Sequence, residues 1–372
     1  MILKRILVAV MMAAGLYSAG RCYPGPGAEG HEPEHRLTAE LVRTFEHYHR
    51  GTFSADGKLV GLQSKRYFDL VELATGKQIR RIEPNCNEIT SCDMSPDGTR
   101  VAVSYSRLVG SKKPYTIEDW LTLYDLTNGQ TISELAHDKP GSFSGEVWFS
   151  PDGKLLASTV TGVAQTFDIK TGKEVRQYLP PARPVDIAPQ RILFSPDSKW
   201  LAVYFYLWQT PTSQYSAVHL WNLESGENKI LRVASLPIRA WAFSSDSRKL
   251  AIVDAVEVGA SNQHEATKIF DVETLRLLVL VDLKLLGAPE SLAFSPNGEF
   301  MAQGGSKVVR LISVRTGDEA GQIDFFGQGP RSPSYVSTLF DIICCVQFSP
   351  DGREILTGIN GGQVRLWRIQ EQ

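Results

Sequence analysis

Five charged residues stand just before, or early in, short apolar segments, and they are the best candidates for chemistry in this chain. They are Glu146, Arg191, Arg239, Glu290 and Asp341. Carboxylates held close together can act as general acid and base, and arginine binds anionic groups. These residues are far apart in the sequence, so a site requires a fold that gathers distant segments. The alternative interpretation is that these five residues form no site and are simply solvated charges.

No catalytic motif accompanies these residues. The segment 141–145 has Phe143 where a nucleophile elbow needs serine, and no glycine-rich phosphate loop with a lysine or His-Glu-x-x-His segment occurs. The seven histidines are dispersed, at positions 31, 35, 47, 49, 137, 219 and 264. We therefore predict no enzymatic activity, no cofactor and no metal site.

The elements that must position these residues are indicated by a five-residue turn motif that recurs seven times. Each copy starts with Phe or Met, continues with Ser, has Asp or Asn fourth and closes with Gly or Ser; the copies occupy residues 53–57, 94–98, 149–153, 194–198, 243–247, 294–298 and 348–352. Pro or Ser at the third position and Gly at the fifth are typical of a tight β-hairpin. The Asp or Asn positions are 41 to 55 residues apart, and a period of about 40–45 residues is typical of one four-stranded propeller blade.

A second signal follows each turn: a strand ends in an aliphatic or aromatic residue and a polar residue, usually before a Thr-Gly-like turn. These pairs are residues 71–72, 124–125, 167–168, 221–222, 270–271, 312–313 and 367–368, the last being Trp367-Arg368. With both motifs, residues 38–372 resemble the WD-repeat family. The resemblance implies an all-β, seven-bladed β-propeller of four-stranded antiparallel blades. The chain departs from the family in having no Gly-His pair, and Gly361-Gly362 stands where the last blade should carry an Asp.

Ring closure is predicted from an unpaired strand at the start of the propeller. Residues 41–45 read as a strand without a hairpin partner, whereas the last blade has only three strands in sequence. We expect the N-terminal strand to complete the last blade, because this leaves no unpaired edge at the closure point.

The first 20 residues have the layout of a secretory signal peptide. Lys4 and Arg5 precede an apolar run, and the small residues Ser18 and Gly20 fit a cleavage site before Arg21. We predict a signal peptide over 1–20, a Pro- and Gly-rich flexible linker over 21–37, and an exported propeller, periplasmic or secreted. The alternative is an uncleaved N-terminus that tethers the protein, as a sensor or assembly factor, to a membrane.

Five cysteines, at positions 22, 86, 92, 344 and 345, could oxidise in an exported protein. Cys86 and Cys92 flank the entry to the second blade and are the favoured pair for a possible disulfide. Cys344 and Cys345 are adjacent on a predicted strand, so we expect two buried thiols on opposite faces.

The predicted binding residues lie on long connections that should share one face of the disc. Those connections are residues 106–119, 205–216 and 254–266 within blades, and 134–145, 179–190 and 324–341 between blades. They carry aromatic and arginine residues, which protein interfaces favour. Together with Arg239 near the channel mouth, the predicted binding residues are Tyr115, Trp120, Trp208, Tyr215, Phe325, Phe326, Arg331 and Tyr335. The aromatic rings could instead serve only to pin the loops.

These patterns favour a monomeric, non-enzymatic platform that binds a protein partner on the face with the long connections. The alternative is a propeller hydrolase or lactonase-like enzyme with its site at the channel mouth. The net charge is −2 and the basic residues are scattered, so we predict no nucleic-acid partner.

Overall fold

The computed structural model describes residues 37–109, 116–138, 145–160, 162–180, 188–210, 213–233, 238–258, 262–282, 289–325, 327 and 342–371. The predicted signal peptide and linker therefore lie outside the described residues, apart from Leu37. In the described part of the chain, all regular structure is β-strand. No helix there is long and apolar enough to span a membrane.

Within these residues, 28 strands form seven antiparallel blades, as the sequence predicts. The first three blades contain β2 (Arg50–Phe53), β3 (Leu59–Gln63), β4 (Phe68–Glu72) and β5 (Gln78–Ile82); β6 (Glu88–Met94), β7 (Arg100–Val109), β8 (Thr116–Asp125) and β9 (Thr131–Asp138); and β10 (Val147–Phe149), β11 (Leu155–Ser158), β12 (Ala164–Asp168) and β13 (Glu174–Tyr178).

The fourth and fifth blades contain β14 (Ala188–Phe194), β15 (Trp200–Thr210), β16 (Ser213–Asn222) and β17 (Asn228–Arg232); and β18 (Trp241–Phe243), β19 (Lys249–Val258), β20 (Asn262–Asp271) and β21 (Leu277–Val281). The last two contain β22 (Ser291–Phe294), β23 (Phe300–Gly304), β24 (Val308–Ser313) and β25 (Glu319–Asp324); and β26 (Ile343–Phe348), β27 (Glu354–Ile359), β28 (Gln363–Glu371) and the N-terminal strand β1 (Leu37–Glu46).

The predicted closure by the N-terminal strand is confirmed. β1 pairs antiparallel with β28, from Leu37 opposite Glu371 to Glu46 opposite Gln363. Leu37 also pairs in parallel with Gly321 of β25, so that the sixth and seventh blades join into one eight-stranded sheet. The first strand thus completes the seventh blade and bonds to the sixth.

The seven turns are held by a repeated arrangement in which a serine hydroxyl donates to a carboxylate, or in the sixth blade to the Asn297 amide oxygen. In the third blade the Ser150 hydroxyl donates to Asp152 at 2.6 Å and accepts the Leu155 backbone N–H at 2.8 Å. Equivalent bonds occur at Ser54, Ser95, Ser195, Ser244, Ser295 and Ser349. The serines are buried, so these bonds satisfy backbone groups that water cannot reach.

Two turns close with serine instead of glycine. Ser198 and Ser247 have φ of 61° and 60°, in the left-handed region that glycine usually fills. Their hydroxyls accept the backbone N–H groups of Asp152 and Asp197, each at 3.0 Å, in the preceding blades. These inter-blade bonds offset the strain of a positive φ at serine.

The core consists of hydrophobic clusters between consecutive blades. At the closure point, Phe45 and Val364 of the seventh blade pack with Phe53 and Val60 of the first. Five positions after the turn Asp or Asn, six of the seven blades have a buried Gly or Ala where the sheets are close together, and the seventh has Leu356. At Gly61, an added Cβ would lie 2.5 Å from the Phe68 ring. Side chains from both neighbouring blades thus fill the interface between them.

The insertions predicted within blades are largely β-hairpins. β7 and β8 pair with each other from Arg100–Asp125 to Val109–Thr116. In contrast, β6 pairs with β7 only as far as Ser106, and β9 pairs with β8 only as far as Asp119. The hairpins β15–β16 and β19–β20 also continue past their neighbouring strands. These blades therefore carry two-stranded ribbons on the face opposite the tight turns.

Candidate functional site

A cavity of about 580 Å³ lies at the centre of the ring and is lined by the innermost strands of all seven blades. This volume is within the range of small-molecule sites, about 300–1,000 Å³. The cavity exists because the inner strands converge on one axis, and the short side chains of several of them leave space between.

The lining side chains alternate along each inner strand. Residues three positions before the turn's first residue form a ring that we call the upper ring: Arg50, Ser91, Glu146, Arg191, Ala240, Ser291 and Cys345. Residues one position before it form the lower ring, nearer the tight turns: Thr52, Asp93, Trp148, Leu193, Ala242, Ala293 and Gln347. The two rings follow from the period of two along a strand.

Polar side chains of these rings bond to the backbone of the next blade. The Phe149 N–H donates to Asp93 at 2.7 Å, the Phe53 N–H donates to Gln347 at 3.0 Å, and the Ile192 N–H donates to Glu146 at 3.1 Å. An innermost strand has one free edge, whose N–H groups need acceptors. These side chains supply acceptors across the blade interfaces.

Polarity is divided unequally around the lower ring. The seventh, first and second blades contribute Gln347, Thr52 and Asp93, whereas the fourth, fifth and sixth contribute Leu193, Ala242 and Ala293. Trp241 and Leu292 add apolar surface on the fifth and sixth blades. The cavity therefore has a polar side and an apolar side.

Four of the five charged candidates from the sequence meet as two ion pairs between neighbouring blades. Arg191 Nη1 lies 3.7 Å from Glu146 Oε1, and Arg239 Nη1 lies 2.6 Å from Glu290 Oε1. Asp341 lies outside the described residues. Because each acid is next to an arginine, the pairs balance their own charge.

Sequence reasoning missed Arg50, which lines the cavity from the first blade. Its signal was available, since Arg50 is three residues before Phe53, the same position that Glu146 and Arg191 hold before their own turns. An alignment of the seven repeats places Arg50, Glu146 and Arg191 at one equivalent position.

Burial changes the acidity of the groups around the cavity. It raises the pKa of Asp93 to about 7, although the backbone N–H groups of Phe149 and Met94 oppose the shift. It also raises the pKa of Cys92 and Cys345, and that of Cys344 to about 11. The thiols are therefore neutral near pH 7 and are not activated nucleophiles.

The cysteines of the described residues are free thiols, including Cys86 and Cys92. The structure thus does not contain the disulfide considered from the sequence; the Cys92 thiol instead donates to Gln63 Oε1 at 3.2 Å. The expectation that Cys344 and Cys345 point to opposite faces is wrong. Both thiols donate to carbonyls beside or in β2, those of His49 and Gly51, because a bulge between Ile343 and Cys345 interrupts the alternation.

Phe325 is corrected from a binding residue to a core residue. Its side chain has 0% exposure, lies under the Arg365 guanidinium at 4.3 Å, and contacts the Trp367 ring edge-on at 6.3 Å. Arg365 also donates to the Phe325 carbonyl. A side chain without exposed surface cannot contact a partner.

The remaining predicted binding residues are placed as follows. Trp120 is half-buried on β8, where its ring packs on His137 at 4.0 Å, and Arg239 is exposed and paired with Glu290. Trp208 and Tyr215 belong to the strands of the β15–β16 ribbon. Tyr115, Phe326, Arg331 and Tyr335 lie outside the described residues.

Exposed apolar side chains occur on the β7–β8 ribbon, which sequence reasoning did not single out. Leu108 and Ile117 are directly opposite each other, and 47% and 51% of their surfaces are exposed. An exposed cross-strand pair of this kind contributes apolar contact area.

No group of three or more His, Cys, Asp or Glu is placed to hold a metal ion in the described ranges. The fold and cavity define the class of the protein: a seven-bladed β-propeller whose inner strands enclose a central chamber. A family model described as "WD domain, G-beta repeat" matches residues 334–368, which include most of the seventh blade. This match and the four-stranded antiparallel blades together fit a WD-repeat β-propeller. No curated protein matches the chain.

Proposed function

We propose that this protein is an exported, non-enzymatic platform that binds a protein partner on the face carrying the β-ribbons. WD-repeat propellers in general mediate protein–protein contacts, and the family match supports that coarser function. The observation that carries the choice of face is the exposed pair Leu108 and Ile117.

The ribbon face has both reach and freedom to vary. Residues 107–109 and 116–118 pair only with each other, so substitutions there leave the four-stranded part of the second blade intact. A strand advances about 3.3 Å per residue, so three unshared pairs extend the ribbon by about 10 Å. A partner can thus bury the apolar pair without opening the blade.

The opposite face has less freedom. Its turn residues are committed to local bonds, as Ser150 and Asp152 are in the third blade and Asp168 and Thr171 are in the turn that follows. A substitution there removes a bond that fixes the backbone of the turn, whether or not it adds a contact with a partner.

The hydrolase alternative expects acids and histidines gathered at one end of the channel. Among the described residues, the cavity lining includes the acids Asp93, Glu146 and Glu290 and no histidine. Two of those acids lie next to arginines, and the third accepts backbone N–H groups. This arrangement favours the platform over the hydrolase.

The platform is tested in two steps. The mature ring is used to capture its partner from the exported fraction, and affinity is then measured for Leu108→Ser/Ile117→Ser. We expect a loss of about 2 kcal/mol or more, as for apolar interface anchors.

The matched control is Val175→Ser, which changes an equally exposed apolar residue (56%) on the outer strand β13. Lys77→Ala and Lys173→Ala probe the tight-turn face. All controls should leave affinity nearly unchanged. If the lysine pair abolishes binding while the ribbon variant retains it, the partner binds the other face.

Export is tested separately by N-terminal sequencing of the native protein. We expect the chain to begin at Arg21, outside the cytoplasm. An intact Met1 on a soluble cytoplasmic protein contradicts export, and an intact Met1 in the membrane fraction supports the tethered alternative.

A further inference from the structure

Arg50 differs from Arg191, which also lines the central cavity, and from Arg239, which precedes the lining residue Ala240. Arg191 lies 3.7 Å from Glu146 and Arg239 lies 2.6 Å from Glu290. Arg50 is exposed to the cavity but forms no hydrogen bond or ion pair with the part of the chain that the structure describes. An arginine enclosed by protein without an acceptor leaves five donors free for an anion.

The surroundings of Arg50 do not neutralise it. Cys92, Cys344 and Cys345 lie near it, and burial keeps these thiols protonated. Glu146 is close enough to interact electrostatically with Arg50, but its oxygens already face Arg191 and the Ile192 N–H. Within the upper ring, Arg191 and Glu146 balance each other, and Arg50 remains as the excess charge.

The apolar side of the cavity lies across the ring from Arg50. Arg50 belongs to the first blade, and the fourth, fifth and sixth blades supply Leu193, Trp241, Ala242 and Ala293. A ligand that fills this chamber therefore meets a cation at one side and apolar surface at the other. Buried apolar area supplies affinity, and the cation selects the charged end.

We propose that the central cavity binds a small organic carboxylate, whose carboxylate pairs with Arg50 and whose apolar body packs against the fourth to sixth blades. The guanidinium fork matches a carboxylate in a bidentate geometry. The site is distinct from the ribbon face, and its test needs no protein partner, so its failure leaves the platform proposal standing.

The test is calorimetric titration of the intact ring with hexanoate and benzoate, each compared with its uncharged amide. A charge-assisted hydrogen bond contributes about 1.5–3 kcal/mol, so we expect the acids to bind at least about tenfold more tightly than the amides. In Arg50→Gln this preference should fall below about threefold, and Arg50→Lys should retain part of it because lysine keeps the charge but lacks the fork.

The control is Lys173→Gln, which removes a cation on the tight-turn face and should leave the preference unchanged. Thermal unfolding of each variant, with and without hexanoate, gives a second readout: the acid should raise the Tm of the parent and not that of Arg50→Gln. Ala293→Leu fills the apolar side, so it should weaken hexanoate more than acetate while the charge stays the same.

The carboxylate could also come from the C-terminus of a polypeptide. Acetyl-Leu-Leu with a free carboxylate, titrated against its C-terminal amide, separates the sources. Binding more than tenfold tighter than hexanoate supports the site with a protein terminus as ligand, and equal or weaker binding supports a free acid. Any of three results overturns the proposal. They are no binding of either acid at about 10 mM, amides that bind as well as the acids, and an Arg50→Gln variant that binds as the parent does.

Discussion

The Asp93 carboxylate accepts the Phe149 backbone N–H at 2.7 Å and so joins the inner strands of the second and third blades. Burial raises the pKa of this carboxyl to about 7, while an unfolded aspartate titrates near 3.9. Between these values the folded state binds more protons than the unfolded state. The contribution of Asp93 to stability must therefore decrease as pH rises from about 4 to about 7.

Asp93→Asn should remove that dependence. We expect the stability difference between parent and variant to change by up to about 4 kcal/mol between pH 4 and 7, at 1.36 kcal/mol per pKa unit. Urea unfolding at about pH 4.5, 5.5, 6.5 and 7, all within this window, measures the difference. A constant difference across this range contradicts the shift.

Two adjacent serines in the fifth-blade turn give a matched test of the repeated turn bond. Ser244 is buried, donates to Asp246 and accepts the Lys249 N–H at 2.9 Å, whereas Ser245 is exposed. Ser244→Ala should cost about 1–3 kcal/mol, because it leaves a buried N–H without an acceptor. Ser245→Ala should stay within about 0.5 kcal/mol. Equal effects in urea unfolding would show that the hydroxyl bonds do not hold the turn.

Closure of the ring can be tested within strand β1. Phe45 is buried between the seventh and first blades, and Val42 on the same strand is exposed. Phe45→Ala should lower stability by about 3–5 kcal/mol through the cavity that it leaves. Val42→Ala should change it by no more than about 0.5 kcal/mol. If thermal unfolding shows both variants at the parent Tm, β1 does not hold the ring closed in solution.

Phe325 should behave as a core residue. Phe325→Ala removes the ring beneath Arg365 and beside Trp367, so we expect a loss of about 3–5 kcal/mol in urea unfolding. Val175→Ala on the exposed outer strand is the control. A Phe325→Ala protein as stable as the parent would return this residue to the candidate interface.

Most of the blade architecture could be predicted from the sequence, since each signal is local. The turn serines and acids bond within five residues of one another, so Ser150, Asp152 and Leu155 carry their geometry wherever the blade lies. The closure by β1 could also be predicted from the sequence. A strand without a hairpin partner and a last blade with only three strands are both completed if the strand joins that blade.

The candidate site could be predicted only in part. Glu146 and Arg191 were recognised as charges near the axis, but their proximity depends on two blades packing side by side. Arg50 occupies the same repeat position, but it has no acceptor among the described residues, which depends on how all the blades pack. The bulge before Cys345 likewise sets the directions of the Cys344 and Cys345 thiols. The strict alternation of side chains along a strand predicts these directions incorrectly.

The sequence by itself determined the turns, the number of blades and the strand that closes the ring, because backbone conformation is set by neighbours along the chain. Only the tertiary structure decided which side chains are enclosed and what they meet. The sequence alone places Phe325 in a loop. In the structure, the guanidinium of Arg365, 40 residues later, packs over its ring. The Trp367 N–H similarly finds its acceptor in Thr357 of the adjacent strand, at 2.8 Å. Burial, charge balance and cavity volume are sums over all seven blades, and no single repeat contains them.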